Sequence, residues 1–360
     1  MSSSTFSLLF VVATTAAAFL SSSTPVSALP FNIPPLPIKN PWLSFMNLSG
    51  CHVGEHRAGL SNLKHYLNRF GYLSAAPNFT DSFDDALQAA IMTYQHNFGL
   101  NISGEIDDAT LKKIVLPRCG VPDIINGTSS MTPLRGRGLF SYFPGNPTWP
   151  GSRSELRYAI TSTSAVSIDI STLKAVFARA FARWSAVTTL NFTETESELD
   201  ADITIGFYNG SHGDEEPFDG ALGTLAHAFS PTDGRFHLDA AEAWVAEGDV
   251  TEASSDGAVD LESVAVHEIG HLLGLGHTSA PEAIMYPTLT TRTRKVELAS
   301  DDVEGIQTLY GTNPNFEGMA PTMSNQEMNG GALGLMARSG VGQVVLRVLP
   351  AIAVGFLTLS

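Results

Sequence analysis

The sequence predicts two folded domains, a compact three-helix module followed by an α/β domain with a twisted, mostly parallel sheet. Apolar residues first recur at helical spacing between residues 50 and 116, and strand-like and helix-like segments then alternate between residues 142 and 312. The length of 360 residues suits two domains with additional terminal segments, and a hydrophobic content of 43% supplies a core for each.

The charge and the cysteine content exclude two classes of protein. The chain has 20 Lys and Arg residues against 36 Asp and Glu residues, and the net charge of -16 argues against nucleic-acid binding. Segment 142–312 contains 26 of the acidic residues and six of the ten histidines, which suits hard and borderline cations, although most of these carboxylates belong on a solvated surface. Two cysteines, Cys51 and Cys119, cannot form a disulfide-rich scaffold, and no role for Cys51 follows.

Both ends of the chain resemble processing signals. Residues 6–20 are apolar and small residues follow at 26–28, so we interpret 1–28 as a secretory signal peptide. No Lys or Arg precedes the apolar run, and a buried N-terminal helix is the alternative. A Pro-rich linker covers 29–49.

The C-terminal tail, 313–360, contains small residues from Asn329 and an apolar run over 344–359. This arrangement resembles a GPI-attachment signal with Asn329 as the attachment residue. Arg347 lies within the apolar run, which leaves a short amphipathic tail or a disordered end as alternatives.

Sequons for N-glycosylation fit the signal peptide and predict an extracellular glycoprotein. The six sequons are at Asn47, Asn78, Asn101, Asn126, Asn191 and Asn209. Use of the GPI signal would place the protein at the outer face of the plasma membrane.

The first domain, residues 50–116, is predicted to contain three helices. Apolar side chains share one face in the first two, namely Leu60, Leu63, Leu67 and Phe70, then Phe83, Leu87, Ile91, Tyr94 and Phe98. The third covers 110–115 with Asp107 or Asp108 as its N-cap. The phrase GLNISGEIDDATLKKI resembles the peptidoglycan-binding-like helical domain of bacterial wall enzymes and metalloproteinase propeptides.

The second domain, residues 142–312, mixes strands with helices. Alternation predicts strands at 156–160, 202–207 and 224–229. Ser171 is predicted to cap a helix in which Leu173, Phe177, Ala180 and Trp184 share a face. Further helices are predicted at 261–273 and from a Ser300 cap to Tyr310.

Residues 267–277 read HEIGHLLGLGH and predict a catalytic zinc site. His267 and His271 lie one helical turn apart and can bind one ion from one face. Gly274 permits a left-handed turn, so that the chain can return and present His277 as a third ligand. Three protein ligands leave one position open, where Glu268 can reach a water. The alternative is that these histidines are ordinary surface or core residues that match the motif by chance.

This extended motif, together with AIMYP at 283–287, resembles the matrix metalloproteinases of the metzincin clan, and most of all the plant-type members without a haemopexin domain. The resemblance covers residues 50–312. It implies an α+β or α/β metzincin-type catalytic domain with a twisted mixed sheet and three helices, with Met285 as the Met-turn residue. It also implies zinc-dependent hydrolysis of internal peptide bonds with Glu268 as the general base.

Residues 117–123, PRCGVPD, match the cysteine-switch motif of this family. A thiolate is a better zinc ligand than water, so Cys119 can fill the open position and keep the enzyme latent. The resemblance implies that Arg118 pairs with Asp123 to hold the loop. The rest of the 117–141 segment lacks periodicity and is where we expect cleavage during activation. An ordinary buried cysteine in a turn is the alternative.

The resemblance implies two further metal sites. The structural zinc would take His212, Asp214, His227 and His237. The calcium would take the carboxylates of Asp219, Asp239 and Glu242, with main-chain oxygens of Gly220, Leu222 and Thr224. A set of acidic loops is the alternative for the calcium residues.

The implied substrate is an extended polypeptide that pairs with 224–229 and places the residue after the cut in a hydrophobic pocket near Pro287 and Leu289. Ser263 and Leu289 are smaller than the usual occupants in the family, which predicts a roomy pocket. Asp301 and Asp302 are predicted to cap the last helix, and the family implies that an aspartate here receives the new N-terminal ammonium after activation.

We expect a monomer whose own propeptide is its inhibitor, with no nucleic-acid partner and membrane contact only through a GPI anchor. A cell-wall carbohydrate-binding protein with a non-catalytic metal domain is the alternative function.

Overall fold

A computed structural model of the chain describes residues 40–131, 140–151 and 153–318. The predicted signal peptide, the GPI signal with Asn329, most of the Pro-rich linker and residues 132–139 of the activation segment lie outside this part of the chain. The described residues between Asn40 and Phe316 belong to one compact unit that contains both predicted domains. No helix within the described ranges has the length and apolar character needed to cross a membrane.

The N-terminal module contains the three predicted α-helices and one additional 3₁₀ helix. The bounds are Leu43–Leu48 for the 3₁₀ helix, Leu60–Arg69 for α1, Asp85–Asn97 for α2 and Asp108–Ile114 for α3. Of the two predicted caps of α3, the structure uses Asp107, whose carboxylate accepts a hydrogen bond from the Thr110 amide at 2.8 Å.

The core of the helical module begins earlier than its composition predicts. Trp42, Phe45 and Leu48 are buried in the same cluster as the apolar faces of α1 and α2. The predicted linker over 29–49 is therefore wrong at its C-terminal end, because large apolar side chains there fold with the module.

The second domain is built on a mixed sheet of six strands in the order β1-β7-β8-β6-β4-β5. The described residues contain two further pairs of strands, β2 with β3 and β9 with β10, outside this sheet. The bounds of all ten strands are β1 (Arg118–Cys119), β2 (Ile124–Ile125), β3 (Thr128–Ser129), β4 (Glu155–Ser162), β5 (Asn191–Glu194), β6 (Ile203–Tyr208), β7 (Thr224–Ala228), β8 (Arg235–Asp239), β9 (Ala243–Val245) and β10 (Ala258–Asp260). Every neighbouring pair in the six-stranded sheet is parallel except β7 with β8. The prediction of a mostly parallel sheet is confirmed, and the single antiparallel pair makes it a mixed sheet.

Three α-helices of the second domain were predicted, and the described residues contain α4 (Ile170–Val187), α5 (Leu261–Leu272) and α6 (Ser300–Tyr310). Two predicted caps are wrong. Asp169 rather than Ser171 caps α4, because its carboxylate accepts the Ser171 amide at 3.1 Å. Ser300 is the first residue inside α6 and Ala299 precedes it as the N-cap.

Helices α4 and α5 pack against each other and share one hydrophobic core with the sheet. The Trp184 indole donates a hydrogen bond to the Val266 carbonyl at 2.9 Å, which fixes one helix on the other. A side chain at Gly270 would meet the Met285 sulfur at 2.2 Å, so the glycine lets Met285 pack directly against α5.

Candidate metal centres

The first cluster of metal-ligating side chains is assembled by α5 and the turn that follows it. His267 and His271 face the same side of the helix, and their Nε2 atoms are 3.2 Å apart. The chain reverses at Gly274, where φ is +102°, as the sequence predicted. His277 then brings its Nε2 to 3.2 Å from that of His271. Three ring nitrogens therefore face one point.

The outer nitrogens of these histidines fix the ring orientations. The Nδ1 of His267 lies 2.7 Å from the Ile284 carbonyl, and the Nδ1 of His271 lies 2.8 Å from the Leu275 carbonyl. A carbonyl can only accept, so both Nδ1 atoms carry the proton and both Nε2 atoms are free to bind a metal ion. This tautomer is the one a zinc site needs.

Cys119 lies at the same point. Its Sγ is 3.4 Å from the His271 Nε2, and the residue is only 5% exposed. The backbone holds it there, because the Cys119 amide donates to the Pro287 carbonyl at 3.0 Å and β1 pairs with β7. Burial raises the pKa of the Cys119 thiol, and the adjacent Glu268 carboxylate adds to that rise. Three imidazoles and one sulfur make a donor set that fits zinc.

Glu268 is fully buried beside this cluster. Neither carboxylate oxygen has a well-formed hydrogen bond to a described residue, and burial raises the pKa of this carboxyl to about 8. A buried carboxyl whose pKa lies near neutrality can both accept and return a proton.

Four more ligand atoms meet around Asp214. Its Oδ2 lies 2.8 Å from the His212 Nε2, 2.7 Å from the His227 Nε2 and 2.7 Å from the His237 Nδ1. His227 on β7 and His237 on β8 stand directly opposite each other in the antiparallel register. Three imidazoles and one carboxylate fit a tetrahedral zinc ion and would leave no coordination position open. Within the described residues, this group and the Cys119 group are the two sets of three or more His, Cys, Asp or Glu side chains whose ligand atoms all lie within 4.8 Å of one another.

A cavity beside Glu268 corresponds to the predicted substrate pocket. Its lining includes the predicted residues Ser263, Pro287 and Leu289, together with Tyr286 and Lys295. Ser263 is less free than its size suggests, because its hydroxyl accepts the Lys295 amide at 2.8 Å. Lys295 was missed at the sequence level, since no local pattern links it to the zinc motif.

Two families match the chain. The matrixin family matches residues 148–311, and a family described as a peptidoglycan binding domain matches residues 56–114. Metalloendoproteinase 2-MMP of Arabidopsis thaliana is 54% identical over 310 residues, which cover 81% of this chain and 81% of that protein. The chain belongs to the matrixin family.

Other matrixins are similar over much of the chain. Metalloendoproteinase 1 of Glycine max is 51% identical over 263 residues, which cover 73% of this chain and 85% of that protein. Human matrix metalloproteinase-20 is 38% identical over 268 residues, which cover 72% of this chain and 49% of that protein.

This matrixin is accordingly a zinc metalloendopeptidase of the matrix metalloproteinase type, with zinc and calcium as its cofactors. The predicted family, fold class, enzyme class and cofactors are confirmed. The alternative of a non-catalytic carbohydrate-binding protein does not fit this membership.

The residues predicted to bind calcium lie close together, but their carboxylates accept hydrogen bonds from backbone amides of the same set. The amides of Gly220, Leu222 and Thr224 donate to the side chains of Asp239, Glu242 and Asp219, at 3.1, 2.8 and 2.8 Å respectively. Calcium binding through the main-chain oxygens of these residues stays a prediction.

Glu242 supplies the observation that favours a cation here. It is 7% exposed, its Oε2 has no hydrogen-bond partner in the described residues, and burial raises its pKa to about 9. The charges of Asp239 and Asp219 contribute to that rise. Buried carboxylates this close together repel one another when they are ionised, and a hard cation bound between them offsets that repulsion.

The two aspartates at the start of α6 have different partners. Asp302 accepts the amides of Ile284 and Met285 at 2.8 and 3.1 Å, and so holds the Met-turn. Asp301 accepts the Phe140 amide at 2.8 Å, which places it beside the end of the activation segment. That Asp301 receives a new N-terminal ammonium after activation stays a prediction.

The six sequon asparagines, unlike Asn329, all lie in the described residues. Each of the six is exposed, as glycosylation requires: Asn47, Asn78, Asn101, Asn126, Asn191 and Asn209.

Proposed function

We propose that this matrixin is made as a secreted, latent endopeptidase in which Cys119 blocks a zinc held by His267, His271 and His277. The observation that carries the proposal is the position of the Cys119 sulfur, 3.4 Å from the His271 Nε2, in the group that also contains His267 and His277. Sulfur at that position leaves no room for a water, so the enzyme stays silent until the propeptide is removed.

The Arg118–Asp123 pair supports the same proposal. The guanidinium donates to the Asp123 carboxylate at 2.6 Å, and both side chains are fully buried. The Arg118 guanidinium also stacks 3.7 Å from the centre of the Phe70 ring at the end of α1. The segment that carries Cys119 is thereby fastened to the helical module.

Substrate would take the place of the propeptide along β7. Removal of β1 leaves β7 at the edge of the sheet, where an extended polypeptide can add as a strand. The cavity next to Glu268, which Ser263, Pro287 and Leu289 help to line, would take the side chain of the residue after the cut.

Zinc, when bound, supplies a Lewis acid that polarises the scissile carbonyl and acidifies the attacking water. Glu268 accepts the proton of that water and returns it to the departing amine. The fixed imidazole orientations keep the reacting groups in place without rearrangement.

Secretion is supported by the signal peptide pattern at 1–28 and by the six exposed sequons. Attachment through a GPI anchor at Asn329 is proposed on the tail pattern alone.

Replacement of Glu268 by Gln tests the proposed chemistry. With the propeptide removed, Glu268→Gln is expected to cleave peptides about 10²- to 10⁴-fold more slowly, because the amide cannot accept the proton. Zinc content, measured by mass spectrometry, should stay equal to that of the unmutated protein. Undiminished cleavage by the variant would show that another residue is the base.

A further inference from the structure

One carboxylate of the propeptide contacts a zinc ligand of the catalytic domain. The Asp123 Oδ1 lies 2.8 Å from the His277 Nδ1, and both side chains are fully buried. The same oxygen accepts the Arg118 guanidinium at 2.6 Å, and the other oxygen accepts the Tyr72 hydroxyl at 2.8 Å. Tyr72 of the helical module therefore helps to position the Asp123 carboxylate that contacts His277.

The three zinc-binding histidines differ in the partner of the outer nitrogen. His267 and His271 donate to the carbonyls of Ile284 and Leu275, which belong to the catalytic domain. His277 donates to a residue that leaves with the propeptide. The latent and the active enzyme must therefore differ at the third ligand, in addition to the position of the sulfur.

A carboxylate on the outer nitrogen has a known physical effect on a metal-binding imidazole. It fixes the ring orientation and makes the inner nitrogen a stronger donor, and the loss of such a partner costs about 10- to 100-fold in metal affinity. A backbone carbonyl carries no charge and donates less electron density than a carboxylate. Arg118 neutralises part of the Asp123 charge from the same oxygen, and burial keeps solvent from screening the charge that remains.

We propose that Asp123 is a positioning residue for the third zinc ligand, so that the propeptide holds the metal by two arms. One arm is the Cys119 sulfur at the open coordination position, and the other is the Asp123 carboxylate behind His277. Removal of the propeptide then opens the site and loosens the zinc in the same step. This inference rests on the proposed ligand role of His277.

Zinc release from the full-length latent protein to a chromogenic chelator tests the second arm. Asp123→Asn should release zinc about 10- to 100-fold faster than the unmutated chain, because the carboxylate partner of His277 is lost. Tyr72→Phe is the matched control, since it removes a donor to the other Asp123 oxygen and leaves the His277 contact in place. The control should stay within about threefold of the unmutated chain.

The comparison is repeated in a Cys119→Ser background, where the sulfur arm is absent. Asp123→Asn should still accelerate release there. If the acceleration disappears, Asp123 acts only by holding the Cys119 loop, and the inference is wrong.

Nitrogen-15 NMR of histidine-labelled, unmutated protein provides a measurement that needs no variant. On removal of the propeptide, the Nδ1–H signal of His277 should shift strongly, while those of His267 and His271 stay in place. Three unchanged signals would overturn the inference. Zinc stoichiometry and peptide cleavage could remain normal in that case, so the proposed function is tested separately.

Discussion

The two ligand clusters use almost the same side chains but take them from different parts of the chain. The cluster around Asp214 draws all four ligands from residues 212–237, within the catalytic domain. The cluster around His271 takes three ligands from α5 and the following turn, and its fourth, Cys119, from the propeptide. Only the second cluster has a ligand that proteolysis can remove.

The difference explains how one domain can hold a permanent metal and a switchable one. The Asp214 carboxylate contacts His227 on β7 and His237 on β8, so it would close its site for as long as the domain is folded. In the proposed function, a sulfur on a separate segment closes its site only until that segment is cut. Glu268 is buried beside the second cluster, so the proposed reaction would take place where the removable ligand leaves.

Loss of Asp214 should have the largest effect on stability. Asp214→Ala leaves three imidazoles without their shared carboxylate, and the free energy of unfolding should fall by roughly 3–5 kcal/mol. Denaturant unfolding of the full-length protein measures this, with zinc content determined in parallel. Asp233→Ala is the control, since Asp233 is an exposed residue, paired with Arg235, in the β7–β8 hairpin that carries His227 and His237, and its loss should cost less than about 1 kcal/mol. Equal losses for both variants would contradict a metal role for Asp214.

Loss of Cys119 should affect latency. Cys119→Ser full-length protein should cleave a peptide about 100-fold faster than the unmutated zymogen, which corresponds to roughly 3 kcal/mol lost from the closed state. Cys51→Ala, which changes the other buried thiol, should remain latent. A silent Cys119→Ser protein would indicate that the propeptide blocks the site by bulk alone.

The carboxylates at the calcium site predict an effect that depends on pH and is smaller, per pH unit, than the losses above. Burial raises the pKa of Glu242 from 4.5 to about 9, so the calcium-free folded state binds a proton that the unfolded state has lost between these values. Stability without calcium should therefore fall as the pH rises from 5 to 9, by at most about 1.4 kcal/mol per pH unit from this group.

Bound calcium neutralises the same carboxylates and should flatten that dependence. Thermal unfolding at pH 6.5 and pH 8.5, each with calcium and with a calcium-selective chelator, measures the difference. If the chelator lowers the melting temperature equally at both pH values, Glu242 is not part of the calcium site.

The sequence predicted those parts of the site that local geometry determines. His267 and His271 are fixed by helical periodicity and His277 by the turn at Gly274, so their meeting could be anticipated. The contact between Asp123 and His277 could not, because it depends on how the helical module packs on the catalytic domain. The position of Lys295 in the pocket could not be anticipated either, because its amide contacts the Ser263 hydroxyl, 32 residues away within the catalytic domain.

The fold shows the same division between local and long-range information. The long α5 and the alternating β4, β6 and β7 were predicted, whereas the four-residue β5 and the strand β8 were not. Short strands have too few residues to show a period, and β8 follows a turn directly. The 3₁₀ helix at Leu43–Leu48 was hidden by the prolines around it, although its apolar side chains belong to the core.

Cobalt substitution of the zinc provides the most direct test of the removable sulfur ligand. Cobalt-loaded, full-length protein should show a thiolate-to-metal charge-transfer band, and the band should disappear when the propeptide is cut away. The cluster around Asp214 contains no sulfur and cannot produce this band. If the latent cobalt protein lacks the band, Cys119 does not bind the metal, and the proposed latch is contradicted.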